Sequence, residues 1–150
     1  MFDLSYLKLF DTHHLHPMMT HFPIAIIAIG FLTDLASVFI KREKCLPKMG
    51  YYLEIAGMLA AIAAWGTGYF LTSTMEGEAG DLRHHHQLFA TITLITIIVA
   101  TLFRSMIVYI RKEDTRLKYV SLVLFFLAFV SVGYTGFLGG ALVLNFMIGF

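Results

Sequence analysis

The chain is short of cysteine and of charge, and each shortage removes a class of protein. Its single cysteine, Cys45, cannot close an internal disulfide, so no disulfide framework is expected. Asp, Glu, Lys and Arg make up 14% of the residues against 58% hydrophobic ones, and the mean hydropathy is +0.76. Soluble domains stand at about a quarter charged and half apolar, so this composition is that of an integral membrane protein. A net charge of +1 gives no electrostatic case for nucleic acid. The sequence also lacks a Ser-His-Asp set, a phosphate-cradling glycine loop and a carboxylate pair at a plausible site. An enzyme acting alone is therefore not expected, although a redox subunit is compatible with the residues. Neither a long soluble domain nor a low-complexity segment interrupts the apolar runs.

With 150 residues and spans of about 20 residues each, the chain accommodates one domain of four membrane helices. The apolar runs place these spans at about 17–40, 51–71, 88–110 and 119–137. Met1 to Asp11 carries two Asp against one Lys, unlike the basic start of a cleavable signal, and reads as a short amphipathic helix at the interface. Pro17 suits a first helical turn, whereas Pro23 lies inside the first span and removes the bond to the Met19 carbonyl. Gly57, Ala61, Ala64 and Gly68 form a small-residue stripe on the second span that admits a close neighbour. Asp81 is the expected N-cap of the third helix, and Gly139 to Phe150 is an apolar tail whose form the pattern leaves open.

Basic residues divide unevenly. Lys41, Arg42, Lys44, Lys48, Arg111, Lys112, Arg116 and Lys118 fall in the first and third connections, so the positive-inside rule puts both termini on the outer side, periplasmic in a bacterial inner membrane. The fold class expected is an all-α, four-helix membrane bundle. Its first and third helices then run in the same direction, and all seven histidines gather at their outer ends: His13, His14, His16 and His21 before one run, His84, His85 and His86 before the other.

Helical phase separates these histidines. Eighteen positions are five turns of about 3.6 residues, which returns to the same face; His86 and Arg104 have that separation, as do His16 and Asp34. Ala90, Thr93, Ile97 and Ala100 lie between the first pair, and Thr20, Pro23, Ile27 and Gly30 between the second. Both stripes are small or weakly polar and suit a bundle interior. A charge in the membrane costs about 2.5–3.5 kcal/mol on insertion scales, so Asp34 and Arg104 are expected to face inward and pair, with Glu54 as a competing partner. His13, His14 and His84 read as interfacial anchors, while His16, His21, His85 and His86 are the candidate ligands.

Neutral imidazole ligates transition metals and haem. Haem suits these surroundings better than a bare ion, because a porphyrin needs an apolar slot, and Gly66, Gly68, Gly133, Gly136, Gly139 and Gly140 lie at the depth of the histidines. A Cu or Zn site, with Met18 and Met19 as soft donors, is the second possibility. A cofactor-free accessory subunit of a larger respiratory or photosynthetic complex is the third.

The stretch His16-Pro17-Met18-Met19-Thr20-His21-Phe22-Pro23-Ile24 resembles the His-Pro, then His-Phe-Pro, signature of small bacterial four-helix membrane proteins catalogued as a domain of unknown function. His86-Gln87-Leu88 with Ala90 is similar to that family's histidine at the start of its third helix, and Thr135-Gly136 with Gly139-Gly140-Ala141-Leu142-Val143 to its closing motif. The resemblance implies a four-helix inner-membrane protein with paired haem-binding histidines. Where relatives continue with an aromatic and a His-Gly, this chain reads Leu144-Asn145-Phe146-Met147 and lacks that histidine. The resulting expectation is a b-type cytochrome-like subunit with one haem b, or two. His21 and His86 form the axial pair, His16 and His85 are the alternatives, and electrons pass between quinol and a partner in a larger membrane redox complex.

Overall fold

The structure is a computed structural model and describes residues 12–72, 74–110 and 114–147. The amphipathic helix expected before Thr12 lies outside the described residues, as do Arg111 and Lys112. Four helices follow one another: α1 (Thr12–Phe39), α2 (Cys45–Leu71), α3 (Gly77–Tyr109) and α4 (Thr115–Leu142), the last running into a π-helical turn at Val143–Met147. All four are long and apolar enough to cross a membrane. The described helices thus form the four-helix membrane bundle read from the sequence.

The helices extend beyond the apolar runs, α1 starting at Thr12, α2 at Cys45 and α4 at Thr115. The chain continues through Pro17 and Pro23 as one helix. At the other end of the bundle α3 begins at Gly77, well before Asp81, which stands inside the helix instead of capping it. Gly77 is the reason: at φ +63° it adopts a left-handed conformation that costs glycine little, and the helix starts there with Glu78 in its first turn, where the positive end of the helix dipole favours a carboxylate. With 33 residues, α3 is roughly 50 Å long at 1.5 Å per residue, against a hydrocarbon core of about 30 Å. Its first turns therefore reach past the apolar layer and carry Arg83 and the histidine cluster to the interface. The tail differs as well, continuing α4 as helix to Leu142.

The helices are apolar on all sides, so burial inside the bundle is decided by size and fit more than by hydrophobic contrast. Large side chains such as Ile29, Leu59, Ile95, Leu102 and Phe137 point outward, as lipid-facing residues should. Inside, Ile27, Phe31, Ala61, Ile97, Phe125, Ala128 and Val132 form the core. Phe31 stacks on Phe129 with centroids 4.9 Å apart and meets Phe125 edge-on at 6.0 Å. α1 packs chiefly on α2, and α3 chiefly on α4.

The stripe on α2 lets α1 approach, as its spacing predicts. A methyl group placed on Gly57 would lie 2.7 Å from Cγ1 of Ile27, and one on Gly50 would lie 2.9 Å from Cβ of Asp34. Gly57→Ala is accordingly expected to lower stability by roughly 1–3 kcal/mol, the usual cost of overpacking a core. Gly66→Ala, where nothing stands within 4 Å, should not. Thermal unfolding of the two variants in detergent, followed by far-UV circular dichroism, checks the contrast.

The expected polar stripes are also realised. Thr93, Ile97, Ala100 and Arg104 are buried on α3, and Pro23, Ile27, Gly30 and Asp34 on α1. Arg104 forms a bidentate pair with Asp34, both contacts 2.7 Å long. Glu54 does not compete for the guanidinium: it joins as a third member, accepting from Nη1 at 3.2 Å, while Nη2 also reaches the Pro47 carbonyl at 2.9 Å. A fork of five donors is what allows one arginine to serve all three acceptors.

Candidate functional site

At the end of the bundle opposite Arg104, the four helices enclose a cavity of about 500 Å³, within the usual range for ligand sites, roughly 300–1,000 Å³. Its walls are mostly apolar, with Ile24, Ala61, Ala64, Trp65, Tyr69 and Val132 among the lining residues, and His16, His21 and His86 reach it. Trp65 and Tyr69 stack at 5.2 Å with their rings 10° apart. The Trp65 indole N–H donates to Thr91 across the α2–α3 interface.

His16 and His86 meet here from α1 and α3. Their ring centroids lie 6.1 Å apart with planes inclined at 73°. Each imidazole is seated by a glycine on another helix. A methyl on Gly68 of α2 would strike His16, 2.7 Å from Cε1 and 3.2 Å from each ring nitrogen. A methyl on Gly139 of α4 would come within 3.0 Å of Cε1 of His86. Two helices thus provide imidazoles and the other two the flat surfaces against which they rest.

Hydrogen bonding fixes which nitrogen of each ring is free. Nδ1 of His86 lies 3.0 Å from the Thr135 carbonyl oxygen, which only accepts, so Nδ1 carries the proton. Nδ1 of His16 lies 3.1 Å from Oγ1 of Thr67, whose own proton goes to the Ala64 carbonyl at 2.8 Å; the hydroxyl therefore accepts, and His16 too is protonated on Nδ1. In both rings Nε2 keeps its lone pair. Histidines that ligate metals are held this way, the second nitrogen donating to an oxygen that sets tautomer and orientation. Thr135 is itself tied down, its hydroxyl donating to the Ser131 carbonyl at 2.9 Å and meeting Thr93 at 3.1 Å.

The other candidates stand apart from this pair. His21 is exposed and bonds through Nδ1 to the Pro17 carbonyl at 2.7 Å, so it too presents a free Nε2, at the cavity wall. His85 and His84 are exposed and lie edge-to-face at 6.1 Å. The geometry brings His16 to His86, where the sequence reading had chosen His21. The glycines divide as well: Gly68, Gly136, Gly139 and Gly140 line the cavity, whereas Gly66 and Gly133 do not. Among the described residues, no three His, Cys, Asp or Glu side chains converge.

Thr67, Thr135 as an imidazole acceptor, and Arg83 were not singled out by the sequence. Arg83 lines the cavity and is held by Thr72, whose Oγ1 accepts from Nη2 at 3.0 Å. The one available signal was the position of Thr67 and Thr135 beside glycine in otherwise apolar helices.

The donor set can be tested against the groups that imidazoles hold. Zinc in a protein cage takes three or four protein donors, more than this pair provides. A metal whose remaining positions are filled by a macrocycle asks the protein for two, with apolar walls around them. Two imidazoles beside apolar walls are a donor set of that kind.

The model of one protein family, described as "Predicted membrane protein (DUF2231)", matches residues 12–150. No curated protein and no solved structure matches the chain.

Proposed function

The chain belongs to the DUF2231 family of predicted membrane proteins, and from that premise we propose that it is a b-type cytochrome-like subunit holding haem between His16 and His86. The observation that carries this reading is the pair itself: two imidazoles from different helices, edge-to-face, each with Nδ1–H committed and Nε2 free, at an apolar cavity. Haem b, when bound, supplies a one-electron couple. The chain's own part is to hold and insulate. Gly68 and Gly139 seat the rings, Thr67 and Thr135 fix the tautomers, and Trp65, Tyr69 and Val132 would supply apolar wall around the bound group. Arg83, a cation on the cavity wall, is placed to take a carboxylate of the bound group.

The charge asymmetry of the connections supports a position for this end of the bundle on the outer side, in a bacterial inner membrane. Electrons would pass between quinol and a membrane or periplasmic partner, the protein serving as one subunit of a larger redox complex. His21, exposed with its Nε2 unengaged, is the histidine placed to meet a quinone or that partner.

Substitution of the pair tests the assignment. Protein carrying His16→Ala or His86→Ala is expected to lose the low-spin b-type spectrum, and His85→Ala to keep it. A wild-type spectrum in both of the first two variants, or stoichiometric copper or zinc without iron in the wild type, contradicts the assignment.

A further inference from the structure

At the opposite end of the molecule a second cavity, of about 420 Å³, lies where the end of α1 and the start of α2 meet the start of α4. Lys41, Lys44 and Lys118 line it together with one carboxylate, Glu43, leaving two positive charges in excess. Among the described residues none of these lysines forms an ion pair, since the ion pairs there are those of Arg104. The hydroxyl-bearing Ser37, Thr115 and Tyr119 also line the wall.

The cleft lies at the boundary between water and lipid. Lys41 stands two residues beyond the end of α1, Lys44 immediately precedes α2, and Lys118 is in the first turn of α4. Immediately beside the lysines the surface turns apolar: Phe39 is 77% exposed and Tyr119 is 52% exposed, with Val123 one turn further along α4 at 56%. A cationic pocket continued by an exposed apolar strip matches one ligand chemistry, a phosphate group carried on an acyl chain. We propose that this cleft is a specific site for the headgroup of an anionic glycerophospholipid, with its phosphate among Lys41, Lys44 and Lys118 and its chains along Tyr119 and Val123. Basic pockets between membrane helices take acidic lipid headgroups by this combination of charge and position. The site is independent of the histidine cavity and does not rest on any cofactor there.

The test uses the full-length protein in neutral detergent, with phosphatidylglycerol, phosphatidylcholine or inorganic phosphate added. Thermal unfolding and native mass spectrometry are the readouts. Phosphatidylglycerol is expected to raise the unfolding temperature and remain bound, with phosphatidylcholine and free phosphate without effect. Lys41→Gln, Lys44→Gln and Lys118→Gln should each weaken retention about fivefold, the effect of one basic residue at an anionic surface. Lys48→Gln, in the same basic region but outside the cleft, should leave retention unchanged. Equal retention by wild type and the triple Lys41/Lys44/Lys118 variant overturns the proposal. Equal stabilisation by inorganic phosphate overturns the lipid assignment, and a loss in Lys48→Gln as large as in the cleft variants reduces the effect to general surface charge.

Discussion

Arg104→Met is expected to be the most destabilising single substitution in this protein, at about 3–5 kcal/mol, the range for removing one partner of a buried ion pair. The guanidinium accepts no substitute: it serves both oxygens of Asp34 at 2.7 Å, one oxygen of Glu54 at 3.2 Å and the Pro47 carbonyl at 2.9 Å. Its loss leaves two carboxylates in a setting where Glu54 has no exposed surface and Asp34 is 3% exposed. Among the described residues Oε1 of Glu54 already lacks a partner, and no other cation pairs with either carboxylate. Because the cost arises from stranded charge rather than lost packing, a triple change should recover most of it. Asp34→Asn and Glu54→Gln combined with Arg104→Met removes every formal charge while keeping side-chain volumes. Unfolding of the three proteins in a denaturing detergent titration, followed by circular dichroism, reads the difference. A triple variant as unstable as the single one would show that the arginine stabilises by packing, not by charge.

The second large effect belongs to the other end of the bundle. On the proposed haem assignment, Gly68→Ala is expected to weaken haem retention about 10–100-fold, the usual cost of disturbing the shell behind a metal ligand, without unfolding the helices. The added methyl would stand 2.7 Å from Cε1 of His16, so the ring has to move and with it the hydrogen bond to Thr67. Gly140→Ala is the matched control, since Gly140 lines the same cavity yet nothing lies within 4 Å of a methyl there. Haem retention through gel filtration, with circular dichroism on the same fractions, separates lost ligation from lost fold. Equal retention by the two variants would contradict the role given to Gly68.

Much of this architecture was legible in the sequence because membrane helices announce themselves by length and because an eighteen-residue step conserves phase. The two stripes from His16 to Asp34 and from His86 to Arg104 place one polar constellation at each end of the bundle, and the structure has both. The same phase carried information that the choice of His21 set aside. His21 stands five residues from His16, which is about 140° around the helix at 100° per residue, and the structure leaves it exposed while His16 turns inward. What the sequence could not supply was tertiary. Thr67 is 51 residues from His16 and Thr135 is 49 residues from His86, and no periodicity connects them. The start of α3 was hidden for a different reason, since Gly77 reads equally well as a loop residue until its positive φ is known. Glu54 was visible as a candidate partner of Arg104, but that one guanidinium could satisfy Asp34 and Glu54 together depended on the crossing of three helices.

The central claim is that His16 and His86 hold a haem, and the most direct measurement is a reduced-minus-oxidised absorption spectrum of native membranes enriched in the protein, with iron quantified on the same sample. A sharp b-type α-band that rises with the amount of protein, at one iron per chain, is the result expected from two imidazoles with free Nε2 atoms. Membranes rich in folded protein that show neither the band nor protein-dependent iron would contradict it.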